Sequence, residues 1–520
     1  MYETDCWMDV TLTKKDAAGW VYRGEGAANI VLAYVGSYPP FIGKVMRLRK
    51  APRNCALAMR SPSALNAHEH LLWKDIDQLI GSSDSELACQ LFVEHVMKPL
   101  LGSQYVDAGM HVMVLKEFLE AVERDVISKR PIWRVDNAKI DTLCESVLLM
   151  SDYSLFAHGA LESRSCISVE IKPKCGFLPL SRFISEGTAI KRTITRFAMH
   201  QALKLHQGEI ALISEYNPLD LFSGCKERIY KAIVDLFTTP QNNFRVFLNG
   251  YLIFGGLGCG AKDTNVSIAK AFEDSLKSVI EADAGKCTEN LITLVAEAVQ
   301  KSRVLDRLLE VQKLDSVDIE GAIHAYYEIT CQQCLVCKEL SDEQAKRFSV
   351  FHSASLDESL RIVKDYLIAA TAKDSSLMIC FRPRREGDSG SEYNNVCLKS
   401  TNQTFDFKVH FLDLDLKRLS KMEEHYELDK KILRLDKDCS ANFPVYAVKG
   451  NGDLTKPTFI GCVFSSDLVF TLSAMLTFSS SSPRRFKADA GRFVFVNSGA
   501  GEGGPDSSID TESTVMLAIL

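Results

Sequence analysis

The sequence predicts an α+β fold with more than one hydrophobic core. A chain of 520 residues is long enough to bury two or more cores. The β-branched run at residues 166–169 is typical of a buried strand. Residues 360–374 have the pattern of a helix that passes through a polar turn into the apolar, strand-like run 377–381. The chain has no internal repeat at the periods of solenoid proteins.

The composition excludes several classes of protein. Apolar residues make up 46% of the chain and charged residues 25%, which is ordinary for a soluble globular protein. The formal net charge of −6 argues against a general nucleic-acid binder, which is usually basic. Residues 1–10 lack the basic start and apolar run of a signal peptide, so the sixteen cysteines indicate thiols or metal ligands rather than disulfides.

Changes in composition and in hydrophobic periodicity divide the chain into four segments. We expect a flexible N-terminus over 1–16, an N-terminal segment with short apolar runs over 17–150, and a segment denser in periodic patterns over 151–435. Serine- and glycine-rich stretches in 436–520 predict a disordered low-complexity tail. The apolar run 459–478 raises the alternative of a membrane span, but Asp467 near its middle would cost about 2.5–3.5 kcal/mol there.

A glycine-rich loop is the first candidate site. Gly24 and Gly26 open the apolar run 30–35, and a turn leads to a second strand-like run over 41–49. Glycine lets backbone N–H groups approach phosphate oxygens closely, so this hairpin could cover phosphates. A plain turn is the alternative. Lys44 and Arg47 lie on opposite faces of the second strand, so at most one of them can reach those phosphates.

Two lysines at a strand end form the second candidate site. Glu170, Lys172 and Lys174 would point the same way in an extended chain, and the two ammonium groups repel each other unless an anion lies between them. Pro173 cannot donate to a sheet ladder, which places the segment at a strand end or an edge. The pair is suited to gripping phosphate; the alternative is a charged edge that blocks aggregation.

Further cations and amides follow. Basic side chains recur every four residues at Arg192, Arg196, His200 and Lys204. On a helix they would form a cationic stripe whose own repulsion favours an anionic partner, and a solvated face is the alternative. Asn242 and Asn243, just before Arg245 at the start of a strand, can donate to phosphate or hydroxyl oxygens.

Four residues have the chemistry of a zinc site. The soft or borderline ligands are His324, Cys334, Cys337 and His352. The acidic surroundings of the CxxC pair favour a structural clip over a reader of DNA, and reduced, non-ligating cysteines are the alternative. Cys331 makes the ligand set ambiguous because it precedes Cys334 by three positions.

Two carboxylates late in the chain fit phosphoryl transfer. Asp374 lies where a helix hands over to a strand, and Asp413 ends the strand-like run 407–413. Phosphoryl transfer needs one carboxylate near the attacking hydroxyl and another for Mg²⁺. The alternatives are a cap for Asp374 and a turn for Asp413. Lys417 and Lys421 would follow on one helical face.

Together these segments resemble plant inositol-pentakisphosphate 2-kinases over about residues 17–435. The resemblance is carried by WVYRGEGAANIVLAY, GKVMR, RPIWR, EIKPKCGFLP, RFAMHQALK, NPLDLFSG, PQNNFRVFLNG, LDRLLEVQKLDxxDIEGAIHAYY, AATAKD, TNQTFDFKVHFLDLDLK and LDKK. It implies a two-lobed inositol polyphosphate kinase fold distantly similar to protein kinases, with ATP between an N-terminal lobe (17–150) and a C-terminal lobe (151–435). It also implies transfer of the ATP γ-phosphate to the 2-hydroxyl of inositol 1,3,4,5,6-pentakisphosphate, with ATP, Mg²⁺ and a structural Zn²⁺.

The resemblance also implies roles for individual residues. Asp374 would be the base, Asp413 the Mg²⁺ ligand, and Lys172 a further catalytic group. The nucleotide-side residues would be Gly24, Gly26, Ala27, Ala28, Asn29, Arg47, Glu170, Arg245 and Asp413. The substrate-side residues would be Arg134, Lys172, Lys174, Arg196, His200, Lys204, Asn242, Asn243, Asp374, Lys417, Lys421 and His425. The zinc ligands would be His324, Cys334, Cys337 and His352.

Three positions depart from the family pattern. Residues 150–153 read Met-Ser-Asp-Tyr where relatives have Asn-Asp-His, which puts the adenine-side contacts in doubt. Lys421 replaces an arginine and loses bidentate geometry. His425 replaces a tyrosine, which makes a phosphate contact there weaker or dependent on pH.

The sequence thus predicts an ATP-dependent inositol phosphate kinase. A non-catalytic sensor of inositol polyphosphates is the alternative, and Asp374 with Asp413 favours the enzyme. A zinc-dependent nucleic-acid or protein-interaction module is disfavoured by the acidic residues around the CxxC pair. We expect a monomer of the cytoplasm and nucleus that binds inositol pentakisphosphate and has neither nucleic acid nor a membrane as a partner.

Overall fold

The structure is a computed structural model that describes residues 10–53, 64–156, 165–256, 266–283, 285–385 and 392–439. The chain divides into two units, Met1–Asp438 and Cys439–Leu520, and the first of them holds the sheets and the sites. The predicted low-complexity tail beyond residue 439 and the apolar run 459–478 lie outside the described residues. Within the described ranges, no helix is both long and apolar enough to cross a membrane.

The first part of the chain builds a seven-stranded sheet. Its elements are β1 (Thr11–Leu12), β2 (Trp20–Glu25), β3 (Asn29–Tyr34), β4 (Lys44–Pro52), α1 (Ala67–Leu72), α2 (Asp77–Ile80), α3 (Ser85–Phe92), α4 (Lys98–Leu101), β5 (Met110–Val114), α5 (Lys116–Val126), α6 (Ile132–Asn137), β6 (Ala138–Ile140) and β7 (Ser146–Ser151). The strand order is β1-β5-β7-β4-β3-β2, and β6 pairs with β4. Only the β1–β5 pair among these is parallel.

One face of this sheet packs on α5 to form a core of its own. Alternate residues of β3 and β4 are buried, for example Ile30 with Leu32 and Met46 with Leu48. Alternation with a period of two is what directs one face of a strand into a core. α5 contributes Phe118 and other apolar residues from one side of the helix, as an amphipathic helix does.

The helices α1–α4 belong to a second core. Their buried apolar residues cluster with those of the later sheet and helices rather than with β1–β7. Helix α1 begins at the N-cap Asn66, whose side chain accepts from the Glu69 N–H (2.9 Å), while the Glu69 carboxylate accepts from the Asn66 N–H (3.0 Å). The same carboxylate accepts from the Leu419 N–H (3.0 Å), which ties α1 to the segment before the last helix.

The second part of the chain builds a six-stranded antiparallel sheet with most of the helices. Its elements are β8 (Ile167–Ile171), α7 (Arg196–His206), α8 (Pro218–Leu221), α9 (Lys226–Thr238), β9 (Phe244–Leu248), β10 (Tyr251–Gly255), α10 (Val266–Leu276), α11 (Cys287–Ser302), α12 (Val304–Gln312), α13 (Asp318–Ile329), α14 (Leu335–Lys338), α15 (Asp342–His352), α16 (Leu356–Asp374), β11 (Ser376–Pro383), β12 (Asn394–Leu398), β13 (Gln403–Leu412) and α17 (Lys421–Cys439). The strand order is β10-β9-β8-β11-β13-β12, so the fully buried β8 is central.

The mixture of helix and sheet confirms the predicted α+β class, but several local predictions were wrong. The glycines do not open the first strand of the hairpin: Gly24 lies within β2, and Gly26 lies in the turn that joins β2 to β3. Arg192 is not on the basic helix, because the Thr195 side chain caps that helix and its first residue is Arg196. Lys417 precedes α17, so Lys417 and Lys421 do not share a helical face.

A buried ion cluster joins three helical elements of the second core. The Lys191 ammonium is 5% exposed and contacts the carboxylates of Asp318, Glu320 (3.2 Å) and Asp429 (2.9 Å). Asp318 and Glu320 lie on α13 and Asp429 on α17, while Lys191 ends a 3₁₀ turn before α7. Arg196 also contacts Asp429. One lysine therefore compensates several buried negative charges that come from distant parts of the chain.

Replacing this lysine should destabilise the fold strongly. In Lys191→Met, Asp318 and Glu320 lose their cation inside the protein, and removing one partner of a buried pair costs about 3–5 kcal/mol. We expect the free energy of unfolding in urea to fall by about that amount. The surface variant Lys277→Met, which removes an exposed pair with Asp274, should leave it unchanged. Equal unfolding midpoints for the two variants would contradict a stabilising role for the cluster.

Candidate active site

The site lies at one edge of the second sheet, where β8 ends. Ile171, the last residue of β8, pairs with Phe244 at the start of β9 and with Leu377 near the start of β11. Ser376 at the start of β11 pairs with Leu412 at the end of β13. The antiparallel order therefore brings four chain segments to this edge, which carry Lys172, Asn243, Asp374 and Asp413.

Asp413 is held in its ionised form. Its carboxylate lies 2.8 Å from the Lys172 ammonium and accepts from the Ser376 hydroxyl (3.1 Å). Burial raises the pKa of Asp413, but the charges of Lys172 and Arg47 and the hydrogen bonds hold that pKa well below its usual range. The backbone of Asp413 is left-handed (φ 59°), a conformation that costs a residue other than glycine of order 1–2 kcal/mol.

Asp374 is the last residue of α16 and is the second ionised carboxylate. A helix C-terminus carries partial negative charge, so an acid there needs cations nearby. Lys417 lies 3.0 Å and Lys174 3.9 Å from its two carboxylate oxygens. Burial raises the pKa of Asp374, but Lys417, Lys174 and Lys172 together lower it below its usual value. Asp374 therefore stays negative and half-exposed at neutral pH, where it can accept a proton.

Lys174 departs from the extended geometry that the sequence predicts. Its φ of 62° breaks the alternation of Glu170, Lys172 and Lys174, because β8 ends at Ile171 and Pro173 begins a turn. Lys172 therefore reaches Asp413, while Lys174 turns toward Asp374. Burial lowers the pKa of Lys174 to about 8; Asp374 opposes that shift, whereas Lys172 and Lys204 add to it.

The basic helix α7 and the start of α17 complete a cationic cluster. Burial lowers the pKa of His200 to about 4, with a further contribution from Lys204, Arg196 and Lys174. Burial likewise lowers the pKa of His425 to about 4, together with the charges of Lys417 and Arg196. The Lys421 ammonium pairs with Glu424 on its own helix (2.7 Å). Repulsion between neighbouring cations is the electrostatic signature of a site shaped for an anion.

The predicted amide pair lies beside these cations. The Asn243 carbonyl accepts from the Lys172 N–H (2.9 Å), so the turn before β9 is joined to the lysine segment. Asn243 is 3% exposed, and its side-chain oxygen has no hydrogen-bond partner within the described part of the chain. Asn242 precedes it in the same turn. A buried polar atom without a hydrogen-bond partner in the protein is consistent with a ligand site.

Two charge pairs involve strands near the site, one within the second sheet and one between the two sheets. Glu170 and Arg245 are register partners on β8 and β9, with their charged atoms 3.2 Å apart. Arg47 on β4 reaches across to Asp415, which follows β13 (2.6 and 2.8 Å). Lys44 instead donates to the Ser151 hydroxyl (3.2 Å), so the two cations of β4 face opposite ways, as predicted.

The glycine-rich loop is held by a hydrogen bond of its own backbone and by a cation of α6. The Gly26 N–H donates to the Asn29 carbonyl (2.9 Å) across the turn that contains Ala27 and Ala28, and Gly24 lies at a bulge of β2. Arg134 on α6 donates to the Gly26 carbonyl (3.0 Å), and its guanidinium stacks on Trp133. The predicted substrate-side arginine is therefore in direct contact with the predicted nucleotide loop.

Asp415 is a site residue that the sequence reasoning missed. It holds Arg47, and with its oxygen turned toward Arg47 the Asn29 side chain accepts from the same guanidinium nitrogen (2.7 Å). A signal was present, because Asp413 and Asp415 are two positions apart at a strand end. The structure separates the two acids by their partners: Asp415 pairs with Arg47 of the first sheet, and Asp413 pairs with Lys172.

The four predicted metal-ligating residues meet away from this edge. Their ligand atoms all lie within 4.8 Å of one another. The His324 Nδ1 lies 3.3 Å from Cys334 Sγ, 3.4 Å from Cys337 Sγ and 3.3 Å from His352 Nε2. His352 Nδ1 contacts Glu328, which orients the ring. Cys331 is exposed and is not part of this group.

The family profile and the similar proteins all carry the same description. A sequence profile of the family described as inositol-pentakisphosphate 2-kinase matches residues 22–431, which include both carboxylates and the His/Cys cluster. The inositol-pentakisphosphate 2-kinase of Arabidopsis thaliana is 53% identical over 429 residues, 82% of this chain and 95% of the relative. The protein of that name from Oryza sativa subsp. japonica is 48% identical over 427 residues, again 82% and 95%. The one from Danio rerio is 29% identical over 484 residues, 81% and 94%.

Proposed function

The chain belongs to the inositol-pentakisphosphate 2-kinase family, and we propose that its cationic sheet edge transfers the γ-phosphate of ATP to the 2-hydroxyl of inositol 1,3,4,5,6-pentakisphosphate. The product is inositol hexakisphosphate, or phytate. One observation carries the assignment of this site: two ionised carboxylates, Asp374 and Asp413, lie together among ammonium groups. Phosphoryl transfer requires that combination, with one acid for the hydroxyl and one for a metal ion.

The substrate explains the density of cations. Each phosphate of inositol pentakisphosphate carries about −1.5 to −2 charges near neutral pH, so the ligand brings close to ten negative charges. The chain itself has a net charge of −6, and the cations must therefore be concentrated locally. The proposed substrate side consists of Arg134, Lys172, Lys174, Arg196, His200, Lys204, Asn242, Asn243, Lys417, Lys421 and His425.

Asp374 is the proposed base. As the 2-hydroxyl oxygen bonds to the γ-phosphorus, the bond from that phosphorus to the ADP oxygen breaks, and the hydroxyl proton passes to Asp374. The low pKa keeps the carboxylate ionised and ready. A weak base is sufficient, because the hydroxyl becomes strongly acidic only as its oxygen bonds to phosphorus. Lys174 and Lys417 hold the carboxylate in place and also attract substrate phosphates.

Asp413 is the proposed Mg²⁺ ligand. A deprotonated, partly exposed carboxylate is the hard oxygen ligand that this ion prefers, and Lys172 now balances its charge. Mg²⁺ bound there would neutralise charge on the β- and γ-phosphates. Lys172, which pairs with Asp413, would stabilise the negative charge on the transferring group.

The nucleotide is proposed to bind between the two sheets. The loop at Gly24–Asn29 would cover its phosphates with backbone N–H groups, and Arg47 would contact them from β4. Glu170 and Arg245, which pair across β8 and β9, are proposed to line the nucleotide side. The Arg47–Asp415 pair, which already bridges the sheets, supports a two-lobed arrangement distantly similar to protein kinases, with β1–β7 in the N-terminal lobe and β8–β13 in the C-terminal lobe.

Zinc is the proposed occupant of the His324, Cys334, Cys337 and His352 cluster. With zinc–nitrogen bonds of about 2.05 Å and zinc–sulfur bonds of about 2.3 Å, tetrahedral geometry places two nitrogens, or a nitrogen and a sulfur, about 3.3–3.6 Å apart. The separations of 3.1–3.4 Å between neighbouring ligand atoms are close to that spacing. A closed set of four protein ligands is typical of structural zinc, which here would clip α13 to α14 and α15.

A sensor without turnover would need the cations but not the base, so the placement of Asp374 against Lys174 and Lys417 favours the enzyme. The monomeric state and the cytoplasmic and nuclear location stay predictions.

Removing the base should abolish most of the activity. With labelled ATP, Mg²⁺ and inositol pentakisphosphate, wild-type protein should form phytate, and Asp374→Ala should lower kcat by about 10²–10⁴-fold, the usual contribution of a general base. Asp365→Ala provides the control, since it removes a carboxylate of the same helix that pairs with the exposed Arg361. Equal product from wild type and Asp374→Ala would rule out the proposed base.

The metal cluster gives a separate prediction. Purified protein should contain about one zinc ion per chain, and the double variant His324→Ala with Cys334→Ala should contain none, because half of a tetrahedral ligand set is lost. Cys331→Ala should keep its zinc, since that thiol lies outside the group. Elemental analysis of the dialysed proteins measures this directly. An unchanged zinc content in the double variant would contradict the site.

A further inference from the structure

We infer that Gln312, together with Tyr216, is a positioning residue of the phosphoryl-transfer site. Both side chains hydrogen-bond to the turn at residues 172–176, and Gln312 also bonds to the end of the helix that carries Asp374. The inference rests on the proposed function, because the turn presents Lys172 and Lys174 to the phosphates. Neither Gln312 nor Tyr216 has a charge or a surface position that would mark it as part of the site.

The carboxamide of Gln312 makes three hydrogen bonds to backbone groups. Its nitrogen donates to the carbonyl of Lys174 (2.8 Å), and its oxygen accepts from the Gly176 N–H (2.9 Å). The same nitrogen donates to the carbonyl of Ala372 (3.3 Å) in the last turn of α16. The side chain is fully buried, with 0% exposed. One amide therefore joins the turn that carries Lys174 to the helix end that carries Asp374.

The turn needs such support because its backbone is strained. Lys174 adopts a left-handed conformation (φ 62°), which a residue other than glycine keeps only when its surroundings over-determine it. The Tyr216 hydroxyl donates to the Pro173 carbonyl (2.8 Å) and fixes the residue before it. A Cβ at Gly176 would lie 2.4 Å from the ring of Phe222, so the last residue of the turn packs directly against that ring.

The consequence for chemistry is a fixed distance between base and cation. The Lys174 ammonium lies 3.9 Å from the Asp374 carboxylate, and each belongs to a segment bonded to Gln312. Without the amide, the turn would relax away from the strained conformation and the two groups would move independently. Misplacement by about 1 Å of groups that position a substrate can cost about 100-fold in rate.

The test compares steady-state kinetics and ligand binding of wild type, Gln312→Met and Tyr216→Phe. We expect Gln312→Met to raise the KM for inositol pentakisphosphate and to lower kcat, so that kcat/KM falls about 100-fold, while the KM for ATP stays within about twofold. Tyr216→Phe, which removes one hydroxyl without changing the ring, should show a smaller change of the same kind. Calorimetry without ATP should show weaker binding of inositol pentakisphosphate by both variants.

A matched control comes from Gln403→Met. The Gln403 amide also bridges two backbone groups, the Val279 carbonyl and the Glu281 N–H (both 3.0 Å), but it lies at the end of β13 opposite Asp413. This variant should keep both KM values. A merely structural role for Gln312 would reduce the amount of folded, active enzyme and leave both KM values unchanged.

The outcomes separate the two proposals. Wild type that makes no phytate would overturn the proposed function, whereas active wild type with unchanged KM for inositol pentakisphosphate in Gln312→Met would overturn the positioning role. If Gln312→Met does not fold, Tyr216→Phe decides: an unchanged KM and unchanged calorimetric affinity for inositol pentakisphosphate would also overturn it.

Discussion

Repulsion among the cations at the end of β8 is the constraint on which the rest of this site depends. The ammonium groups lie close enough together to shift the pKa values of Lys174, Asp374 and His200; they belong to Lys172, Lys174, Lys204 and Lys417. In the free protein Asp374 and Asp413 offset these charges, so both acids stay ionised. Burial depresses the pKa values of Lys174 and His200, and repulsion from the neighbouring cations adds to that shift. A polyanion would relieve the repulsion, so the energy stored in the free site favours binding of the inositol phosphate.

The fold supplies what the charges alone cannot, which is a fixed place for each of them. The antiparallel order β9-β8-β11-β13 brings four strand ends to one edge, so residues that are far apart in sequence become neighbours. Left-handed backbone at Lys174 and Asp413 then aims both side chains. Behind the site, the buried Lys191 holds α17 to α13 and so fixes the helix that carries His425. The acidic net charge of the chain is compatible with this arrangement because the basic patch is local.

Local sequence patterns predicted much of the fold and of the site. The helix-to-strand change at Asp374 and the strand before Asp413 follow from periodicity, and the spacing of His324, Cys334, Cys337 and His352 indicated the ligand cluster. What failed depends on contacts between distant segments. Asp415 was passed over because its partner Arg47 lies on the other sheet, and Gln312 looks like any polar residue at a helix end. The left-handed turn at Lys174 likewise has no local signal, since lysine seldom adopts it.

Proton uptake on binding inositol pentakisphosphate reports whether the crowded lysines meet the ligand. At pH 8.5 a Lys174 with a pKa of about 8 is about one quarter protonated in the free protein, and a bound polyanion should raise that pKa well above 8.5. Titration calorimetry in buffers of different ionisation enthalpy should therefore show wild type taking up about 0.7 proton more than Lys174→Met. Subtracting the proton uptake of Lys174→Met from that of wild type leaves the contribution of this lysine, because the phosphates and histidines are common to both proteins. Equal proton uptake by the two proteins at saturation would contradict the account, because Lys174 would then either be fully protonated already in the free protein or not meet the ligand.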